Sequence, residues 1–437
     1  MSPRNQVARR RGFPRSRPGA RRGALLVAGT VSVVGLWTAC GGDASPGAWA
    51  GEVRDSAGVE LVLNPARGVW TDADRWRVTE ELRIGEAGGD PAYQFGQIAG
   101  IGVVSDGRIF VLDQQAQNVR VFSEDGIHLS TLGGPGSGPG QLALGAGPLL
   151  VARGDTLLVP DLQNRRVTRF APDGTFAGSF VMDLREGIPA RWEDRPSGRI
   201  AEQVRPLDLP NLPAADSMDS ILEREPDGSI RDTLFRMRSG GTFSFAGGAP
   251  EFHFFVAEPL WALYGETGLL FGVNDGYRVE VHGVPGRVDR IFVMPFERTA
   301  LTEEDREVFL GALERAWKEA GVPPPALENL VAGVDFAPTF PAYFQFLAGP
   351  AGTIWVQRLQ APAQLTEEER DNFNPLLGLG AREWDVFDPE GRYLGVVAMP
   401  TRFQPLRFRE DRVYGIWRDE LDVQYVMVLR IDSSPGA

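Results

Sequence analysis

The sequence contains few residues of the types that build covalent cross-links or metal centres. One cysteine among 437 residues excludes a disulfide framework and any zinc or iron–sulfur site built from several cysteines. Three histidines, His128, His253 and His282, leave little material for a histidine-rich metal site. Lys318 is the only lysine. We therefore predict no bound metal, no cofactor and no catalytic residue set.

Glycine and proline, by contrast, are abundant, at 53 and 33 residues. Together they make up about a fifth of the chain, against roughly an eighth in an average protein. This excess favours tight turns between short strands and disfavours long helical bundles. Hydrophobic residues at 43% and charged residues at 24% are sufficient for a packed core.

The charge is unevenly distributed along the chain. Residues 1–39 hold eight arginines and no acidic residue, and the rest holds 37 basic against 58 acidic side chains. Such a negative body repels phosphate backbones and anionic lipid head groups. We therefore predict no nucleic-acid partner, and no membrane contact other than through an anchor.

The N-terminus has the features of an export signal. Basic residues 4–22 precede an apolar stretch, residues 23–37, which is shorter than the roughly 20 residues of a membrane span. Thr38, Ala39 and Cys40 follow, which resembles a bacterial lipoprotein signal, where cleavage precedes a cysteine that receives a diacylglycerol. We predict a lipoprotein-type signal peptide over 1–39, lipidation of Cys40, a flexible tether over 40–51 and location in the cell envelope, facing the periplasm or the exterior. The alternative is cleavage at the A-x-A pattern that ends at Ala50, which would give a secreted soluble protein.

The body of the chain repeats with an offset of 48 residues. An apolar run predicts a buried strand, a second strand follows it, and an Asp-Gly pair predicts a hairpin turn with glycine at positive φ. The repeated residues are Asp113, Val119, Phe122, Asp125 and Gly126, which recur as Asp161, Val167, Phe170, Asp173 and Gly174. Three or four antiparallel strands in 40–50 residues are typical of a propeller blade.

Weaker copies predict further blades around residues 221–228, 269–286, 353–391 and 412–431, which gives six in all. The last copy lacks an outer strand, and we expect residues 58–63 to supply it and close the ring. We therefore predict an all-β, six-bladed β-propeller over residues 52–433, closed by an N-terminal strand. Capped apolar segments at 302–317 and 366–373 predict two short helical insertions.

Residues 161–174 carry the spacing Asp161, Asn164, Arg166, Val167 and Phe170 followed by Asp-Gly, which resembles an NHL repeat. With the lipoprotein-like start, the chain resembles NHL-repeat-like six-bladed β-propeller lipoproteins of bacteria. Some propellers of related appearance are lactonases or lyases, and that resemblance would imply a calcium or zinc ion held by carboxylate, Asn or His ligands.

Polar residues that follow the predicted inner apolar strands are the candidate ligand-binding set. They are Asp113, Asp161, Asn274, Arg358 and Arg418. If these strands line one rim, the five side chains face a central funnel, where propellers commonly bind ligands. The alternative is that the Asp residues only hydrogen-bond backbone amides of their own turns.

The sequence favours a non-catalytic binding platform whose partner is an envelope protein, a peptide or a glycan. Nucleotide binding is not expected, because the glycine-rich residues 133–140 lack the Gly-Lys-Ser/Thr of a phosphate loop. The alternative function is a metal-dependent hydrolase or lactonase that uses acids in the funnel.

Overall fold

The computed structural model describes residues 47–143, 145–185, 187–195, 197–206, 217–246, 249–371, 373–375 and 378–433. The predicted signal peptide and Cys40 lie outside these residues. Among the described residues, no helix is both long and apolar enough to cross a bilayer.

The chain begins with three strands that lie on the outside of the molecule. They are β1 (Glu52–Ser56), β2 (Val59–Leu63) and β3 (Arg77–Ile84). A tight turn at Ala57 and Gly58, both at positive φ, folds β1 and β2 into a hairpin. Trp49, in the described part of the predicted tether, donates a hydrogen bond from Nε1 to Asn64 Oδ1 at 2.9 Å, so this part of the chain contacts the body.

Three blades follow, each a four-stranded antiparallel sheet. Blade 1 comprises β4 (Ile98–Val103), β5 (Ile109–Asp113), β6 (Asn118–Phe122) and β7 (His128–Gly133). Blade 2 comprises β8 (Leu150–Ala152), β9 (Thr156–Asp161), β10 (Arg166–Phe170) and β11 (Phe176–Val181). Blade 3 comprises β12 (Ile188–Asp194), β13 (Ile200–Arg205), β14 (Met218–Arg224) and β15 (Ile230–Arg238).

The second half of the chain forms three more blades and an insert. Strands β16 (Phe243–Ala246) and β17 (Ala249–Phe254) lead into blade 4, which comprises β18 (Pro259–Tyr264), β19 (Gly268–Val273), β20 (Arg278–His282) and β21 (Arg290–Val293). Helices α1 (Glu303–Glu319) and α2 (Pro324–Ala332) and strand β22 (Val334–Phe336) come next. Blade 5 comprises β23 (Gln345–Ala348), β24 (Ile354–Leu359), β25 (Gly380–Phe387) and β26 (Tyr393–Ala398), with α3 (Glu367–Asp371) between β24 and β25. Blade 6 comprises β27 (Phe403–Arg409), β28 (Arg412–Arg418), β29 (Gln424–Asp432) and, from the N-terminus, β3.

The six sheets confirm the predicted all-β propeller and its blade count. Closure by an N-terminal strand is also confirmed, but the expectation that residues 58–63 perform it is wrong. It is β3 that pairs antiparallel with β29, whereas β2 pairs in parallel with β21 of blade 4. The eight residues of β3 pair along most of the nine-residue β29, while the five residues of β2 lie between β1 and β21 and so have both edges paired.

The N-terminal segment covers the outer edges of three consecutive blades, and we call residues 52–84 the belt. Its hairpin lies on blade 4. The amides of Val69 and Trp70 then donate to Tyr393 and Leu394 of blade 5 at 3.3 and 2.8 Å, and β3 completes blade 6. Sheet edges that would otherwise be open to other chains are thereby paired within the molecule.

The glycine of the repeated Asp-Gly turn serves a purpose beyond its positive φ. Gly126, Gly174, Gly228 and Gly391 each lie against an apolar side chain on the outer strand of the preceding blade, so that a Cβ would crowd or overlap it. These side chains are Leu82 and Ile84, Leu132, Phe180 and Phe292, in that order. The turn therefore joins neighbouring blades closely enough that only glycine fits comfortably.

The insert consists of β16, β17, β22, α1 and α2, and its sheet is separate from the blades. Thr302 and Asp305 form the predicted capping box of α1. The first predicted helical segment ended at residue 317, and α2 was not predicted. Pro324 begins this helix, because proline is well accommodated in the first turn. The insert has its own core, which includes Phe254, Phe309, Leu313, Trp317 and Leu327.

Candidate functional site

The two faces of the ring carry different loops. Because neighbouring strands of a blade are antiparallel, the connections between blades and the loops between second and third strands lie on the same face. We call this the connector face. Each predicted candidate residue lies at or next to the end of the second strand of its blade. In chain order the residues are Asp113 (β5), Asp161 (β9), Asn274 (β19), Arg358 (β24) and Arg418 (β28). The structure thus places all five on the connector face, one in each blade except blade 3.

The two aspartates are completely buried and hydrogen-bond backbone amides. Asp113 accepts from the amides of Gly96, Gln97 and Ala116 at 2.9, 3.2 and 3.0 Å. Asp161 accepts from Ala143 and Asn164 at 3.0 Å each. Each carboxylate therefore joins the loop after its own strand to the segment that enters the same blade, which is the structural role considered as the alternative.

Asn274 and Arg418 are also engaged within the protein. Asn274 accepts from the amide of Glu258 at 2.7 Å and donates to the carbonyl oxygen of Tyr343 at 2.9 Å. Arg418 lies 3.4 Å from Asp422, and burial lowers the pKa of its guanidinium. Ligand binding by these residues stays a prediction.

Arg358 differs from the other four because its side chain is 46% exposed. Its Nη2 donates to Asp385 Oδ1 at 2.7 Å. Asp385 is buried and also accepts from the hydroxyls of Tyr277 and Tyr393, each at 2.8 Å. Burial, followed by the charge of Asp385, raises the pKa of both tyrosines, so they remain hydrogen-bond donors.

This network makes Arg358→Ala an unsuitable test of ligand binding. The substitution would leave the buried carboxylate of Asp385 without its cation, and leaving a buried charge unpaired destabilises a fold. A loss of binding could then follow from a loss of stability, so a clean test must use residues elsewhere on the connector face.

The central channel is crossed by an ion pair between opposite blades. Arg407 on β27 of blade 6 donates to both carboxylate oxygens of Asp194 on β12 of blade 3, at 3.0 and 3.1 Å, and to the carbonyl of Leu149 at 3.2 Å. Blades 3 and 6 face each other in a ring of six. The ion pair therefore occupies the channel between these two blades.

One such cleft lies between blades 5 and 6 on the connector face and encloses about 530 Å³. This volume falls within the range of roughly 300–1,000 Å³ that is common for ligand sites. Three segments form its walls: the start of α3, the connection between blades 5 and 6, and the loop after β28. The lining residues are Thr366, Glu368, Glu369, Thr401, Arg402, Trp417, Asp419, Glu420 and Leu421.

The walls of the cleft are held by local hydrogen bonds. Asp419 accepts from the amides of Leu421 and Val423 at 2.9 and 3.0 Å, which fixes the loop and leaves the side chain of Leu421 81% exposed. On the opposite wall Glu369 accepts from the amide of Thr366 at 2.9 Å. This wall therefore presents one large apolar side chain to solvent from a loop that is held by hydrogen bonds.

Charge and aromaticity complete the chemistry of the cleft. Of the described lining residues, four are acidic and one, Arg402, is basic; Arg402 donates to Glu368 at 2.9 Å. The guanidinium of Arg83 lies over the Trp417 ring, 4.1 Å from its centroid. The cleft thus combines negative charge with apolar and aromatic surface.

The three histidines do not converge on this cleft. His128 begins β7, His253 lies in β17 and His282 ends β20. Within the described ranges, no group of three or more His, Cys, Asp or Glu side chains is arranged to hold a metal ion.

The sequence of blade 1 and its flanks also matches a known family. Residues 92–145 match the model of DUF5128, a family described as a 6-bladed beta-propeller. The chain is a six-bladed β-propeller. No curated protein matches the sequence of this propeller.

Solved structures that resemble the propeller have diverse functions. They include a Bacteroides fragilis protein provisionally described as exported (10% identity, 85% of this chain and 99% of that one, TM-score 0.48). Others are a virginiamycin B lyase from Staphylococcus aureus (12%, 82% and 99%, 0.38) and a gluconolactonase from Xanthomonas campestris (14%, 82% and 95%, 0.39). At these identities and TM-scores, the similarities do not indicate what this propeller binds or catalyses.

Sequence reasoning missed the cleft, although its five candidate residues lie on the same face. Arg418 was selected as the residue near the corresponding position in the last blade, and Trp417 and Leu421 on either side of it line the cleft. No local pattern singles out Leu421, because the corresponding turn of blade 2 also carries a leucine, Leu162. Thr401 and Arg402 approach from another blade connection, so only the folded chain brings them together.

Proposed function

We propose that this propeller is an exported, lipid-anchored binding protein that holds a peptide, a glycan or a segment of an envelope protein in the cleft between blades 5 and 6. The observation that carries the proposal is the cleft itself: about 530 Å³ on the connector face, with Leu421 fixed in an exposed position at its wall. A rigid concave surface with a few apolar and polar groups is the usual form of a ligand site.

Filling the cleft is the direct test. Thr401 is exposed and lines the cleft, so Thr401→Trp should block it without disturbing the core. We expect Thr401→Trp to abolish binding to the members of an array of oligosaccharides and unstructured peptides that the unmodified protein retains. Ser56→Trp, on the exposed strand β1, is the matched control and should bind normally. Equal binding by Thr401→Trp and the unmodified protein would refute the cleft as the site.

The lipid anchor predicts a second, independent result. Cys40 is the only cysteine and follows the apolar segment of the signal, so Cys40→Ser should shift the protein from the membrane fraction to the soluble fraction on detergent-free fractionation. If Cys40→Ser remains with the membranes, anchoring by lipid is wrong; cleavage after Ala50 instead predicts a soluble protein in both cases.

The geometry favours binding over the alternative of a metal-dependent hydrolase or lactonase. The acids Asp113 and Asp161, which that alternative needs in the funnel, already accept backbone hydrogen bonds. Elemental analysis of the purified protein separates the two functions, because stoichiometric calcium or zinc with hydrolysis of lactones would favour the enzyme.

A further inference from the structure

Resting on the proposed function, we infer that the ligand of the cleft is a polypeptide segment that carries a basic side chain next to an apolar one. The chemistry of the cleft distinguishes this class from a glycan. Three observations carry the inference: the exposed apolar contact, the state of the aromatic ring and the charge of the lining.

The apolar contact is Leu421. Its side chain is 81% exposed, and two backbone hydrogen bonds to Asp419 hold its loop in place. Because its backbone is already held, the loop loses little conformational freedom on binding, and the exposed leucine gains most by covering its surface with another apolar group. Aliphatic peptide side chains supply such a group, whereas the hydroxyl-covered surface of a sugar supplies little.

The indole ring of Trp417 already packs against other side chains of the protein. The guanidinium of Arg83 lies over Trp417, 4.1 Å from the ring centroid, and Tyr425 packs against the same indole with centroids 5.3 Å apart. A sugar ring that stacks on tryptophan needs an uncovered face. The stacked guanidinium of Arg83 instead shows that the surroundings of the Trp417 indole accommodate a cation.

The charge of the lining is complementary to a basic group. Among the described lining residues, four are acidic and one, Arg402, is basic, and the nearby guanidinium of Arg83 is paired with Glu80. The body carries 58 acidic and 37 basic side chains after residue 39. Such a field attracts a cationic segment and repels an acidic one. Glu368 already binds the guanidinium of Arg402 at 2.9 Å, as a ligand arginine would be bound by a neighbouring carboxylate.

The test uses three defined probes on the folded full-length protein. The first is a short unstructured peptide of alternating leucine and arginine spaced by glycine and serine, the second has glutamate in place of every arginine, and the third is the neutral sugar cellohexaose. Titration calorimetry should detect the first peptide only, with binding weakened at about 0.5 M salt, where charges are screened over roughly 4 Å.

Two variants locate that binding. Leu421→Ala should lower the affinity for the basic peptide about five- to tenfold, and Glu420→Gln should lower it about two- to fivefold. A tenfold change in affinity corresponds to about 1.4 kcal/mol. Both residues are exposed, so neither change should affect folding. The matched controls are Val181→Ala, 77% exposed at the end of β11 in blade 2, and Glu266→Gln in an exposed turn of blade 4; both should bind normally.

The outcomes separate this inference from the proposed function. If cellohexaose binds and Leu421→Ala abolishes that binding, the cleft remains the site and the basic-peptide class is wrong. If the basic peptide binds but neither Leu421→Ala nor Glu420→Gln weakens it, both the inference and the cleft as its site fail. Binding of the glutamate peptide, or no detectable binding of the basic one, overturns the inference.

Discussion

Replacing β3 (Arg77–Ile84) by a glycine–serine linker of the same length should prevent the chain from folding to a soluble monomer. β3 pairs along β29, and Ile84, 2% exposed, joins the core between blades 6 and 1. Leu82 and Val78 pack on cores at the two sides of blade 6. Full burial of a side chain such as Ile84 contributes about 1.5–3 kcal/mol, the half-buried Leu82 and Val78 contribute less, and the total stability of a domain is about 5–15 kcal/mol.

Loss of β3 also leaves β29 as an open edge. Glu81 of β3 bonds Arg412 and Arg430 at 2.7 and 2.5 Å, and the bond to Arg412 contributes most to lowering the pKa of Glu81 to about 2. Without β3, the backbone N–H and C=O groups along this edge of β29 would be unpaired, which promotes association between chains.

Far-ultraviolet circular dichroism, thermal melting and size-exclusion chromatography check this result. The control is the same replacement in β1 (Glu52–Ser56), an edge strand whose residues are all exposed; that protein should stay folded and monomeric. A cooperative melt close to that of the unmodified protein after replacement of β3 would contradict ring closure by this strand.

Among the glycines of the repeated Asp-Gly turn, Gly228→Ala should be the most damaging substitution, with a loss of about 2–4 kcal/mol in the free energy of unfolding. Gly228 has a φ of +92°, and its added Cβ would overlap the ring of Phe180 on β11 of the preceding blade. The cost therefore combines backbone strain with displacement of a ring at the joint between blades 2 and 3.

Gly286→Ala provides a matched comparison. Gly286 occupies the corresponding turn of blade 4 with a φ of +78°, but no atom lies within 4 Å of its would-be Cβ. Only strain remains there, about 1–2 kcal/mol. Urea denaturation of both variants measures the difference; equal losses would mean that contact between the turn and the preceding blade contributes nothing.

The fold could be predicted from the sequence because each blade is a local unit whose pattern is repeated several times along the chain. The offset of 48 between Asp113 and Asp161 reflects one structural role, a carboxylate that bonds the segment entering its blade, and that role demands the same residue each time. The belt follows no repeat. Residues 58–63 and 77–84 both look like strands, and only pairing with β21 and β29 decides which one closes the ring.

The candidate site could be predicted only in part. The repeat correctly indicates which face carries the loops after the second strands, and so placed Arg418 beside the cleft. It could not indicate that Arg407 and Asp194, 213 residues apart, meet across the channel. Contacts between distant segments depend on the folded ring, and no local pattern in the sequence records them.

The belt also bears on how this protein must be made. Its outer strand for blade 6 is synthesised early, yet its partner Arg430 comes 349 residues after Glu81. Because synthesis proceeds at about 5–20 residues per second, β29 is made on the order of tens of seconds after β3. During that interval the apolar side of β3 has no native cover, so we expect the ring to close only after β29 has been synthesised.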